Sequence, residues 1–390
     1  GLSVIDVIPT GGVIGIFGLL ISIFITKKLG FSKTLLKCLL KIHRLIQLRL
    51  FLPLDKKFDK DKKFAQGHFI VAKKEILIYR IIFFQKRRKE IMTKIYMAGS
   101  GGMLGNSFYD VFKESYDVRC TDIDVNSDWL SYMDFRDLQS YEKDVVDFNP
   151  EYLFHLGAYT SLEYCENHPD DTYMTNTIAV ENAVYIANKL DIPLLYISTA
   201  GIFDGKKELY DDWDTPNPLG VYARSKYLGE RFVVENALRY LVCRAGWMMG
   251  SGPNKDKKFI QKLMQQLKDG QTELNIVNDK DGTPTYTVDF AKNCKTLITE
   301  ECWGLYNMVC GGETSRLEVT QELLKILGLE SSVKINEVDS SYFSAEYFAA
   351  RPPNERLVNK KLNLRGQNHM RDWKLALREY ISDSYEGYLK

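Results

Sequence analysis

Tyr222 and Lys226 stand four apart in the run Val221-Tyr222-Ala223-Arg224-Ser225-Lys226. Residues four apart on a helix share a face, so the lysine ammonium can lie beside the phenol. A free phenol titrates at about 10 and moves protons poorly at neutral pH. A neighbouring ammonium favours the phenolate and is expected to lower that value. Such a phenol can give a proton to a carbonyl oxygen as hydride arrives at its carbon. Upstream, the strand-like run 194–197 ends at Ser198-Thr199. Thr199, or Ser198 beside it, could hydrogen-bond the same oxygen and steady its developing charge. A tyrosine and lysine at this spacing recur by chance; what precedes them gives the pair meaning.

A glycine-rich turn, Ala98-Gly99-Ser100-Gly101-Gly102-Met103-Leu104-Gly105, follows the strand-like run 94–97 and precedes a helix-like stretch, 107–113. Gly99, Gly102 and Gly105 have the spacing G-x-x-G-x-x-G, which permits a tight turn and close approach of backbone and helix to a pyrophosphate. Met103 and Leu104 belong to the same cofactor-binding turn. The next strand candidate, 117–121, ends at Asp122. An acidic residue about 20 positions beyond the glycines accepts from the adenosine ribose hydroxyls, which favours NADH over NADPH. Asp124 is a rival for that role. Asp134 and Phe135 are expected to flank the adenine, and Gly157 and Ala158 to line the nicotinamide side.

Over residues 94–385 the chain resembles the extended short-chain dehydrogenases, most closely the dTDP-4-dehydrorhamnose reductase family. Ser198-Thr199-Ala200-Gly201-Ile202-Phe203-Asp204-Gly205 is similar to that family's S-T-D-Y-V-F-D-G. The run 216–226 resembles its proline-led Y-G-x-[ST]-K, Gly282-Thr283-Pro284-Thr285 its G-x-P-T, and residues 351–357 its R-P-x-x-S-x-L. The resemblance implies a proton donor at Tyr222, a lysine at 226 that tunes it and holds the nicotinamide ribose, and a carbonyl-orienting Thr199. Ser198, Ala200, Trp247 and Arg351 fall at the substrate. Arg351 is a candidate for its diphosphate, because a guanidinium suits bidentate phosphate binding.

The departures are informative. The family's Asp-Tyr after the threonine contacts the sugar, whereas this chain has Ala200-Gly201. Tyr164 stands where a lysine is common, and the family's R-T-S-W is Arg244-Ala245-Gly246-Trp247. Polar groups are lost around the sugar while the cofactor and proton-transfer residues are kept. We therefore expect reduction of a nucleotide-linked 4-keto-6-deoxyhexose in cell-surface polysaccharide synthesis. The alternatives are a non-catalytic binding or regulatory module, and an epimerase or dehydratase on the same scaffold. A dehydratase needs an acid beside the threonine, and Ala200 supplies none.

Around these residues, strand-like runs at 94–98, 117–121, 152–157, 193–198 and 240–244 alternate with helix-like stretches that include 171–190 and 223–238. This predicts an α/β fold, a Rossmann-type doubly wound parallel sheet. Residues 92–245 would form the NAD(P)-binding domain. Residues 246–390, with helices expected at 256–269, 286–299 and 318–327, would form mainly a smaller substrate lobe.

Charge divides the chain. Residues 1–91 carry 19 Lys and Arg against 6 Asp and Glu, a net of +13, and the remainder is −12. Such a break suggests pieces of different origin. Within the basic piece, 13–25 is apolar and uncharged but short for a membrane span, and 33–52 suits an amphipathic surface helix. Residues 64–74 weakly resemble the closing strand of a class I S-adenosylmethionine methyltransferase. We expect residues 1–91 to be a fused remnant or membrane-associated, without a catalytic role. Seven scattered cysteines without C-x-x-C suit reduced thiols and a cytoplasmic location. No metal site and no nucleic-acid patch is expected, and the candidate assembly is a homodimer. His155 reads as a satisfied core residue, and Glu163 and Glu166 as a solvated loop.

Overall fold

Alternation along the strands decides which face each side chain covers. In β1 (Lys94–Ala98), Ile95 and Met97 enter one core while Tyr96 and Ala98 enter another. The same division holds in β5 (Leu194–Thr199), where Leu195 and Ile197 oppose Leu194 and Tyr196. A strand buried on both faces needs a helical layer on each side, which is the condition for a parallel doubly wound sheet. The computed structural model describes residues 92–389. Residues 1–91, with the apolar run 13–25 and the methyltransferase-like stretch, lie outside the described residues.

The other strands of the main sheet are β2 (Asp117–Asp122), β3 (Leu130–Tyr132), β4 (Tyr152–His155), β6 (Tyr240–Ala245) and β11 (Gly304–Asn307). All seven run parallel, in the order β11-β6-β5-β4-β1-β2-β3. The order reverses between β1 and β4, and the crevice at that switch point is where such sheets bind ligands.

Between these strands lie α1 (Met103–Phe112), α2 (Leu138–Phe148), α3 (Leu162–Asn167), α4 (Pro169–Tyr173), α5 (Ala179–Leu190) and α6 (Val221–Asn236). The second half adds α7 (Gly252–Lys255), α8 (Phe259–Lys268), α9 (Thr287–Thr299), α10 (Arg316–Leu327), α11 (Lys360–Arg365) and α12 (Trp373–Ser384). Its small sheets use β7 (Trp247–Met249) with β10 (Pro284–Tyr286), and β8 (Glu273–Val277) with β13 (Lys334–Val338). A third sheet joins β9 (Asp281–Gly282), β12 (Thr314–Ser315) and β14 (Asn354–Glu355) in the order β12-β9-β14.

The five predicted strands are all present, with boundaries moved by a residue or two. The stretch expected as one helix over 171–190 is α4, a π-helical turn (Met174–Ile178) and α5. A sequential division at 245 does not capture the architecture. β11 returns to the main sheet beside β6, and Phe290 of α9 packs with Phe108 of α1 in the core behind it. Helix α2, absent from the sequence reading, starts at Asp137, whose carboxylate accepts from the Gln139 and Ser140 amides at 3.1 and 3.3 Å.

Candidate active site

Strand β5 delivers Ser198 and Thr199 at its C-terminal end, and α6 delivers Tyr222 and Lys226 from its first two turns. The helix has no side-chain cap of its own at Gly220. Glu166 of α3 supplies one: its Oε1 accepts from the Val221 amide at 2.7 Å. An anionic acceptor is favoured at the positive end of a helix. The π turn adds a second anchor. Asn176 Oδ1 accepts from the Tyr159 amide at 2.8 Å, and its Nδ2 donates to Tyr159 O at 3.0 Å and Ser225 Oγ at 3.1 Å. Thr177 Oγ1 donates to Ser225 O at 2.9 Å. One π turn thus ties the loop after β4 to the face of α6 next to Tyr222.

Thr199 lies near enough to the Tyr222 phenol to influence its titration. Thr199 Oγ1 accepts from the Gly201 amide at 3.1 Å, which fixes its rotamer. Burial pushes the Tyr222 phenol up to about 12, and the Thr199 hydroxyl offsets part of that rise. Lys226 is only 4% exposed, and burial pulls its ammonium down to about 7 against the attraction of Glu230. Its Nζ lies 4.2 Å from the centre of the Tyr196 ring. The expected lowering of the phenol by Lys226 is therefore corrected. Desolvation disfavours the charged form of each group and dominates both.

The glycine turn forms a cradle suited to a dinucleotide. Gly99 has φ +76°, and a Cβ there would lie 2.1 Å from Gly157 Cα, so the two backbones touch across the switch point. At Gly105 a Cβ would strike Ser100 O at 2.3 Å, whereas at Gly102 it would meet nothing within 4 Å. Gly102 is the N-cap of α1 and carries no side-chain cap. The first-turn amides of α1, Met103 and Leu104 included, thus carry no side-chain cap at the positive end of a helix, the setting that suits a pyrophosphate. The helix begins four residues earlier than the expected 107, directly at the glycines. Asp122 braces the turn: its Oδ2 accepts from the Gly101 amide at 2.7 Å and its Oδ1 from the Asp124 amide at 2.9 Å. Lys255 of α7, unnoticed in the sequence, donates from Nζ to Gly101 O at 3.1 Å, to Ser127 Oγ at 3.2 Å and to Asn126 Oδ1.

Residues 92–386 match the family described as RmlD substrate binding domain. The chain belongs to this family. It is 26% identical over 294 residues to the spore coat polysaccharide biosynthesis protein SpsK of Bacillus subtilis, covering 75% of this chain and 98% of that protein. It is 25% identical over 263 residues to the dTDP-4-dehydrorhamnose reductase of Salmonella typhimurium, covering 65% and 86%. Its fold superposes with a TM-score of 0.68 on the crystal structure of dTDP-4-dehydrorhamnose reductase from Bacillus anthracis in complex with NADP. That structure is 26% identical, with 75% of this chain and all of the other covered.

Within this member of the family, several expected roles change. Asp134 is held by Arg136, whose Nε and Nη2 donate to it at 2.9 and 2.7 Å. Phe135 is buried against the backbone of Gly157 and the ring of His155, 4.8 Å between centres. Phe135 thus forms part of the floor under Gly157. His155 is a core residue, but not a satisfied one. Both ring nitrogens lack a partner among the described residues, and burial pulls its pKa down to about 3. Ser198 Oγ is likewise buried without a partner. Glu163 and Glu166 are not a solvated loop: Glu166 caps α6, and Glu163 pairs with Arg351 at 2.7 Å. Arg351 also donates to Ala349 O at 2.9 Å, so its guanidinium is partly committed at the boundary with the lobe. Tyr164, where a lysine is common, donates to Asp171 Oδ2 at 2.7 Å.

Two residues that the sequence reading missed stand beside Trp247. Glu355 Oε2 accepts from Trp247 Nε1 at 2.7 Å. Arg316 lies with its Cζ 3.7 Å from the centre of the Trp247 ring and 4.5 Å from that of Phe259, and it makes no side-chain hydrogen bond or ion pair to a described residue. Burial lowers the Arg316 guanidinium to about 10. The departure of Glu355 from the serine of R-P-x-x-S-x-L was the signal available in the sequence. A cavity of about 910 Å³ elsewhere, between α1 and α9, is not lined by Thr199, Tyr222 or Lys226.

Proposed function

We propose that this chain reduces the keto group of a nucleotide-linked 4-keto-6-deoxyhexose, with NADH or NADPH as reductant, in cell-surface polysaccharide synthesis. The observation that supports this reading is the delivery of Thr199 by the end of β5 and of Tyr222 and Lys226 by the start of α6, in a sheet whose switch point carries the Gly99–Gly157 contact. The dinucleotide, when bound, supplies hydride to the keto carbon. Thr199 donates to the keto oxygen and orients it. Tyr222 hands its proton to that oxygen as negative charge develops there. Lys226 holds the ribose next to the reacting ring. Arg316, whose fork is uncommitted, is better placed than Arg351 to meet the substrate diphosphate. The intact Thr199, Tyr222 and Lys226 set favours turnover over a regulatory module. A homodimer, and a cytoplasmic location with membrane contact through residues 1–91, complete the reading.

The test is to incubate the full chain with NADH or NADPH and a panel of nucleotide 4-keto sugars. Tyr222→Phe should lower kcat by at least about 100-fold, the low end for general acid catalysis. Dinucleotide affinity should be nearly unchanged. Near-normal turnover by the variant would sink the assignment.

A further inference from the structure

The sheet β12-β9-β14 brings separated parts of the chain beside the loop that follows β5. Glu355 of β14 pairs with Gly282 of β9, and Thr314 of β12 pairs with Gly282 from the other side, one residue before Ser315 and Arg316. Trp247 fixes one carboxylate oxygen of Glu355 through its Nε1 donor. The other oxygen, Oε1, faces the loop after β5. A Cβ built on Gly201 would lie 3.3 Å from Glu355 Oε1 and 3.5 Å from Thr199 Oγ1. Both oxygens therefore border one small space, and that space exists because residue 201 has no side chain.

This chain carries Ala200-Gly201 where the resembling reductases carry Asp-Tyr, and Glu355 where they carry serine. Polarity lost from the β5 loop returns from β14. We propose that Glu355 is a specificity-determining residue, whose Oε1 accepts a hydrogen bond from a hexose hydroxyl of the substrate. This rests on the reading of the reaction given above. Three features favour a hydroxyl as the group recognised. A carboxylate only accepts hydrogen bonds. Trp247 orients it before the sugar arrives, which reduces the ordering needed on binding. The neighbouring Arg316 balances its charge, so the position does not demand a cationic amino sugar.

The experiment uses the full chain, with Glu355→Gln and Glu355→Ala measured against wild type on the 4-keto substrate that wild type reduces best. Glutamine can keep an oxygen on Trp247 Nε1 while placing an NH2 donor where Oε1 accepts. Both variants should raise KM by about 10- to 100-fold, the range for a hydrogen bond to a charged group. Affinity for the dinucleotide and for the bare nucleoside diphosphate should stay within about twofold. Deleting the recognised hydroxyl from the substrate should make wild type and Glu355→Ala alike. A KM within twofold of wild type in both variants overturns the proposal and leaves the reductase reading intact. Equal loss of affinity for the bare nucleoside diphosphate also overturns it, because the role is then structural. A wild type that turns over no member of the panel overturns the reductase reading, and this proposal with it.

Discussion

Arg244 grips Glu230 through two hydrogen bonds, Nη2 to Oε1 at 2.6 Å and Nε to Oε2 at 3.0 Å, with both side chains buried. Arg244 comes from β6, and Glu230 sits one turn beyond Lys226 on α6. The pair fastens α6 to the sheet. Removing one partner strands a buried charge, so Arg244→Met should cost about 3–5 kcal/mol of stability. The double variant Arg244→Met/Glu230→Leu should recover much of that loss, because no charge is left alone. Urea unfolding of the single and double variants checks this. Equal destabilisation in both would show that packing, not charge, holds the helix.

Lys226 should weaken the fold that it serves. Its pKa falls from 10.5 in the unfolded chain to about 7 in the folded one. Between those values the unfolded state binds more protons, so stability rises with pH across that window. Lys226→Met removes the penalty. Its gain in Tm should be full at and below pH 7 and fade towards pH 10.5, while turnover is lost. A gain of at least about 2 °C at pH 7 is expected, since 1 kcal/mol moves Tm by roughly 2–4 °C in domains somewhat smaller than this one. A Tm difference independent of pH would contradict the assigned cause.

Gly99→Ala should damage both the fold and the dinucleotide site. The added Cβ would lie 2.1 Å from Gly157 Cα, at a φ of +76° that non-glycine residues rarely adopt. Gly102→Ala meets nothing within 4 Å and should leave Tm nearly unchanged. It still places a methyl group where the pyrophosphate approaches, so dinucleotide affinity should drop there too. Melting curves and dinucleotide titrations of the two variants separate the effects.

Asp122 braces the glycine turn, and in the proposed reading it also meets the adenosine ribose. Asp122→Asn keeps one acceptor for the Gly101 amide, which it now holds at 2.7 Å, and removes the negative charge. Charge repulsion of a 2′-phosphate then disappears, and the ratio of NADPH to NADH affinity should rise by about tenfold, equivalent to about 1.4 kcal/mol. Titration of both dinucleotides into wild type and variant tests this. An unchanged ratio would move the discrimination to another residue, with Lys255 the first to examine.

The local chemistry of this protein was written in its sequence. Glycine spacing, the Tyr222 and Lys226 interval, and the alternation of 94–98 and 193–198 follow from backbone geometry and short-range periodicity, which neighbouring residues fully specify. Tertiary structure decided whatever depends on pairing across long separations. The return of β11 to the main sheet beside β6, the cap that Glu166 places on α6 and the ion pair between Glu163 and Arg351 join residues 55 to 188 positions apart. Burial is equally a tertiary property: it raised the Tyr222 phenol and lowered the Lys226 ammonium, where spacing alone pointed to a lowered phenol. The loss of polarity at Ala200-Gly201 was legible as an absence. That Glu355, some 150 positions later, brings its carboxylate to the same place became visible only once β14 was laid beside β9.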